Sequence, residues 1–241
     1  MRKAAPQRST ECSPENRLLA GCSAHELERL GGALQPIALH SHMSVATAGE
    51  RPNWVIFPCN ALVSHIAEME DGSAVEIGMV GCDGLAGLGA LFGDVSTFSR
   101  SIVQISGAAK AMSAADFRRL VVEPRTELYE RVNRYANALL GCIAYIAGCN
   151  MRHDTRQRLS RWFLMCEDRV HRTSLDLTHD FIASMIGVRR ASVTEVMGEL
   201  RLAGALEYAY GMVEIRDRAI LEAEACPCYA VVRDLFERAL A

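Results

Sequence analysis

Residues 177–206 read LTHDFIASMIGVRRASVTEVMGELRLAGAL. Thr178 is placed to cap a helix, its hydroxyl accepting from the free N–H groups of the first turn. Ile182, Ala183 and Ile186 then recur at helical spacing until Gly187 interrupts them. Val193, Val196 and Leu200 rebuild an apolar face, with Ser192, Thr194, Glu195 and Glu199 lying off it. Two short helices meeting across a glycine turn, with a small residue where they approach, make a helix-turn-helix. A structural hairpin shares that pattern. What distinguishes this one is Arg189 and Arg190 at the opening of the second helix. In a reading head that end enters the major groove, where an arginine can make a bidentate pair with guanine.

The chain after the second helix continues AGALEY and AYGMVEIRDRAIL, so 208–215 reads as two short strands turning at Gly211. Together these residues resemble the C-terminal winged helix-turn-helix of the Crp/Fnr family of bacterial transcription regulators. The tail EACPCYAVVRDLFERAL resembles the closing helix of many members. The resemblance implies an α+β chain with an N-terminal cyclic-nucleotide-binding-like β-roll, a long dimerisation helix and a C-terminal winged helix-turn-helix. It implies a homodimer on double-stranded DNA, with RNA polymerase as a candidate further partner. Arg190 aligns with the family's major-groove arginine. Arg189 suits phosphate as well as base, Ser192 and Thr194 suit phosphate or base edges, and Tyr210 lies on the wing. Glu195 either accepts from a cytosine amine or orients Arg190. An acidic residue follows the arginine in members that read the family's best-known half-site; Ala191 stands there, so the resemblance does not carry that half-site over, though it still implies DNA binding.

At 241 residues the chain accommodates two modest domains, and 50% hydrophobic with 23% charged residues is an ordinary globular composition. A net charge of −3 confines any DNA-binding surface to a local patch. The polar residues after Arg2 and Lys3 do not read as a signal peptide, and the apolar window at 136–149 is too short to span a bilayer. A cytoplasmic protein without membrane contact is expected, its nine cysteines mostly free thiols.

Residues 1–16 are polar and aperiodic and predict a mobile tail. The span 17–122 begins with a short helix that Ser23 can cap, then reads as short strands with hairpin signals at Asp71-Gly72 and Gly107. This is the expected effector domain. The span 123–153 carries one long helix from about 127 to 152. Its Leu128, Val132, Tyr135, Leu139, Cys142, Ile146 and Cys149 alternate steps of four and three, the heptad condition for a dimer seam. A dimer seam predicts a palindromic site with half-sites about one DNA turn apart. A hinge near His153–Asp154 opens the DNA-binding domain, 154–241, through an amphipathic helix over 155–167 with Leu159, Trp162, Phe163 and Cys166 inward. The stretch before residue 177 reads as a loop or turn.

Members that bind cyclic nucleotides carry Gly-Glu leading to an Arg-Ser pair. Arg100-Ser101 match that pair, but Leu88 fills the position of the ribose-binding glutamate after Gly87. A buried ribose hydroxyl facing leucine loses about 1–3 kcal/mol, so cyclic AMP is not expected as effector, and the effector is left unassigned. No cofactor or metal is expected: Cys12, Cys22, Cys59 and Cys82 are scattered, Cys226-Pro227-Cys228 matches no common motif, and the histidines show no paired spacing on a helix face. The sequence carries no phosphate-cradling loop, Gly-x-Ser-x-Gly or His-Glu-x-x-His, so an enzyme is not expected. The competing reading is an interaction module in which the helix-turn-helix is structural; paired arginines at the second helix's opening favour DNA.

Overall fold

The computed structural model describes residues 15–93 and 96–241. Most of the expected tail lies outside those residues. Its last member, Asn16, is fully buried, caps helix α1 (Arg17–Ala20) and donates from Nδ2 to the carbonyls of Pro58 and Gly84 at 2.8 Å. Asn16 therefore belongs to the folded domain. Helix α2 (Ala24–Leu30) follows with Ser23 as N-cap.

Seven strands make the β-roll: β1 (Gln35–Leu39), β2 (Ser44–Ala46), β3 (Trp54–Pro58), β4 (Leu62–Glu68), β5 (Ala74–Val80), β6 (Arg100–Ile105) and β7 (Gly107–Ser113). They form two antiparallel sheets, β1-β7-β3 and β2-β6-β4-β5. Ile37, Leu39, Ile56, Val63, Val80, Val103 and the small Ala109 and Ala111 close on one another as a dedicated core. Alternating apolar residues on facing strands make that layer. The β4–β5 turn is set by Asp71, whose Oδ1 accepts from the Ser73 amide at 2.9 Å, and by Gly72 in the left-handed region.

A short helix α3 (Ala114–Phe117) and one wider turn lead to α4 (Glu127–Arg152). Thr126 caps α4, Glu127 and Glu130 stand in its first turn and Arg152 in its last, each sign matching the helix dipole. All seven heptad positions are buried within the single chain. The repeat is thus satisfied by this protomer's own core, and the opposite face of α4 carries the exposed Leu140, Ala144, Ala147 and Met151. Periodicity established the helix but assigned its apolar stripe to the wrong neighbour.

His153 leaves the helix in extended backbone, and Asp154 starts α5 (Thr155–Val170) with a capping box to Gln157. The break between α4 and α5 therefore falls at the residues expected to form a hinge, while α5 runs three residues beyond 167. Leu159, Trp162, Phe163 and Cys166 are buried, as are Arg158, Arg161 and Arg169. Arg169 pairs with Asp83 at 2.8 Å with both side chains nearly water-free, tying α5 to the β-roll. The segment read as a loop instead contains β8 (Ser174–Asp176), the first strand of the wing sheet. Helices α6 (His179–Ile186) and α7 (Arg190–Leu202), strands β9 (Leu206–Ala209) and β10 (Met212–Ile215), and helices α8 (Arg218–Glu224) and α9 (Cys228–Leu240) complete the chain. Among the described residues no helix is long and apolar enough to cross a membrane.

Candidate nucleic-acid interface

Helix α6 begins at Thr178, whose hydroxyl accepts from the Phe181 amide at 3.2 Å as its N-cap and keeps its own O–H to donate. It ends at Gly187 (φ +66), whose amide and that of Val188 satisfy the last-turn carbonyls. A side chain there would be strained, and its Cβ would come within 3.2 Å of Val75. Ile182, Ala183, Ile186, Val193, Val196 and Leu200 interlock beneath the pair, as their spacing predicts.

Arg189 is the N-cap of α7 and Arg190 its first residue. Arg189 makes no side-chain cap; the Ser192 amide bonds the Arg189 carbonyl at 3.0 Å, which leaves the Arg190 and Ala191 amides for an anion that the helix dipole favours. Both arginines are exposed. Arg190 makes a loose contact with Asp180, 3.3 Å from Nη1 to Oδ2, with each side chain about two-thirds exposed. An exposed pair of this kind is worth under ~1 kcal/mol, so releasing Arg190 to a base costs little. The carboxylate facing Arg190 is Asp180, not Glu195, which points to solvent; the role of orienting partner passes to Asp180.

Thr194 is exposed, but its hydroxyl already donates to the Arg190 carbonyl at 3.1 Å and contacts His179 Nδ1 at 3.0 Å. The His179 ring stacks on Tyr208, centroids 4.2 Å apart. Burial and the neighbouring Arg190 charge hold the His179 pKa below its ordinary value, leaving a neutral ring that braces recognition helix against wing. Sequence reading missed this brace, because it joins residues 29 positions apart whose only signal is one aromatic and one imidazole. Ser192 is half-buried.

The wing turns on Tyr210 and Gly211, both at positive φ, between the paired Ala209 and Met212. A two-residue loop with both members left-handed matches the twist of its strands. Gly211 adopts that conformation freely, whereas Tyr210 does so against its Cβ and stands fully exposed. A bulky residue held there displays its phenol at the wing tip.

The residues expected around an effector separate. Ser101 is buried and bonds His65 Nδ1 at 2.9 Å, on the wall of a cavity inside the β-roll. Arg100 does not line that cavity; its Nε pairs with Glu68 at 2.8 Å. Leu88 does line it, with Ile77, Phe92 and Phe98, and Leu139 and Ile143 of α4 close it. Burial pushes His65 down to about 4, so its ring is neutral at physiological pH. Cavity and reading head are joined through β5. Ile77 faces the cavity, Glu76 Oε1 accepts from Trp162 Nε1 of α5 at 3.0 Å, and Val75 abuts the Gly187 turn.

Seven described cysteines are free thiols, while Cys59 is disulfide-bonded. Four groups that could hold a metal converge at the end of α4 and the start of α9: Cys149, His153, Cys226 and Cys228.

Residues 157–224 match the Crp-like helix-turn-helix domain. No curated protein matches the chain. Among solved structures, a CRP-family transcriptional regulator of Thermus thermophilus superposes with a TM-score of 0.64 at 20% identity, over 78% of this chain and 95% of that one. FixK2 of Bradyrhizobium japonicum gives 0.61 at 14% identity, over 80% and 98%. The c-di-GMP responsive global regulator CLP of Xanthomonas campestris gives 0.62 at 17% identity, over 81% and 100%. The chain thus carries a Crp-like helix-turn-helix domain, set within the overall fold of the Crp/Fnr transcriptional regulators.

Proposed function

We propose that this protein is a sequence-specific, homodimeric transcription regulator of the bacterial cytoplasm whose effector is not cyclic AMP. The observation that carries the DNA reading is the uncapped N-terminus of α7 with Arg189 and Arg190 exposed beside it. An interaction module has no use for two exposed guanidiniums, one of them held only by a loose surface pair, at a helix N-terminus. DNA supplies phosphates for the amides and Arg189, and a guanine edge for Arg190. Ser192, Thr194, Glu195 and the wing's Tyr210 border the same face, and Thr178 orders α6 behind it.

A second copy is the partner that suits the outward face of α4. Leu140, Ala144, Ala147 and Met151 repeat there at steps of four, three and four, the heptad seam displaced to the solvent side. Pairing α4 helices holds two recognition helices apart and calls for a palindromic site. RNA polymerase is a natural further partner of such a dimer.

The cavity supports a different effector from cyclic AMP. Leu88 lines the cavity where the resemblance implies a ribose-binding glutamate, Arg100 is held by Glu68, and the walls are chiefly apolar. An apolar molecule suits it better than a sugar phosphate. Because Val75, Glu76 and Ile77 are consecutive, a ligand that shifts Ile77 also acts on the contacts to Trp162 and Gly187.

Selection of duplexes from a random library by the purified protein tests the proposal. Enrichment of a palindrome with half-site centres about 10–10.5 bp apart is expected. Failure to enrich any sequence, by wild type alone or with cell extract supplying the effector, would refute it. Calorimetry with cyclic AMP is expected to give no heat of binding.

A further inference from the structure

We infer that Cys149, His153, Cys226 and Cys228 form a tetrahedral Cys3His site for a zinc-like divalent metal, clamping the end of α4 to the loop between α8 and α9. Cys149 and His153 stand four residues apart, so the last turn of α4 presents both on one side. Cys226 lies in the α8–α9 loop, its amide bonded to the Gln157 carbonyl, and Cys228 is the first residue of α9. The four ligand atoms all lie within 4.8 Å of one another. Metal–sulfur bonds of about 2.3 Å and metal–nitrogen bonds of about 2.0–2.1 Å place tetrahedral ligand atoms roughly 3.5–3.8 Å apart. The structure gives 3.4 Å between Sγ of Cys149 and Sγ of Cys226, and 3.8 Å from Sγ of Cys228 to Nδ1 of His153. A tetrahedron of that size needs movements of only a few tenths of an ångström along these edges.

Two buried arginines supply the second observation. Arg158 and Arg161 of α5 both act electrostatically on Cys149. They repel each other, and neither makes a salt bridge among the described residues. The Nε atoms of both are buried without a hydrogen-bond partner. Two buried like charges are expensive in an interior, and the carboxylate near Arg161, Glu76, is itself pushed up to about 7 by burial and offsets them poorly. Three thiolates, a neutral imidazole and a divalent cation sum to one negative charge, facing both guanidiniums. Soft thiolates with imidazole select zinc over magnesium or calcium.

The consequence is mechanical. Arg158 Nη2 also donates to the Ile186 carbonyl at the end of α6, one residue before the recognition turn. A filled site would fix the hinge at His153 and, through Arg158, the seat of the helix-turn-helix.

The test uses full-length protein kept reduced. Metal content is measured after purification with zinc, and apo-protein is titrated with cobalt(II) for the d–d bands of a tetrahedral thiolate centre. One metal per chain and those bands are expected. Cys228→Ser, at a half-buried position, and Cys226→Ser should lose both while retaining native circular dichroism; Cys22→Ser, remote from the site, should keep both. Zinc should also raise the Tm of apo-protein and leave that of Cys228→Ser unchanged. Fully reduced wild type that takes up no cobalt, whether or not it forms a Cys149–Cys226 disulfide on oxidation, would overturn the assignment, as would unchanged bands in both serine variants.

Discussion

Replacing Glu76 by glutamine should stabilise the protein at alkaline pH and leave it nearly unchanged in mild acid. Glu76 is buried between β5 and α5, accepting from the Trp162 indole while its Oε2 finds no partner. Burial pushes its carboxyl up to about 7 from 4.5, outweighing the hydrogen bonds of Ser64 and Trp162 and the charges of Arg161 and Arg169. Between those two values the folded protein binds a proton that the unfolded chain has released, so stability falls as pH rises through the window. At 1.36 kcal/mol for each pH unit, the loss between about pH 5 and pH 8 is roughly 2–3 kcal/mol. Glutamine matches the protonated carboxyl in shape and abolishes the titration. Urea unfolding of wild type and Glu76→Gln at both pH values isolates the group from every other titration. The difference should be within ~0.5 kcal/mol at pH 5 and reach ~2–3 kcal/mol in favour of the variant at pH 8. In a chain of this size that is roughly 5–10 °C in Tm. A variant equally or less stable than wild type at pH 8 would mean instead that Arg161 and Arg169 keep Glu76 ionised.

His65 titrates with the opposite sign. Its folded value of about 4 lies below the ordinary 6.5, so stability present above pH 6.5 is lost as pH falls toward 4. The loss is at most about 3 kcal/mol, since the ring borders the cavity; acid unfolding of His65→Gln should show a shallower limb, and an unaltered limb would exclude His65. Tyr210→Gly should relieve the left-handed backbone, raising stability by ~1 kcal/mol, while weakening duplex binding without sequence preference. Thermal unfolding and anisotropy separate the two effects, and a less stable variant would contradict the strain.

Local rules carried the helix-turn-helix, the long helix, the break after it and the wing, because each is written in neighbouring residues. Thr178, Gly187 and the Ile182/Ile186 spacing fix α6 whatever surrounds it, and Asp154 with Gln157 fixes the start of α5. Period alone does not name the neighbour of an apolar stripe, so the α4 heptad read as a dimer seam when it faces its own core. The same blindness hid every feature that tertiary structure assembles. Glu68 meets Arg100 because Ile66 pairs with Arg100 across adjacent strands. Cys149 meets Cys226 across 77 positions. The Cys226-Pro227-Cys228 triplet was visible but incomplete, since its other two ligands sit at the end of a helix in a different part of the chain.

Arg190, at the start of α7, is the residue proposed to read a base. Anisotropy on the selected palindrome and on a random duplex, for wild type and Arg190→Ala across a salt series, tests that role most directly. A loss of ~1–3 kcal/mol on the palindrome, about five- to 150-fold in Kd, with binding to the random duplex nearly preserved, is predicted. Equal affinity of both proteins for the palindrome, or an equal loss on both duplexes, would contradict base reading by Arg190.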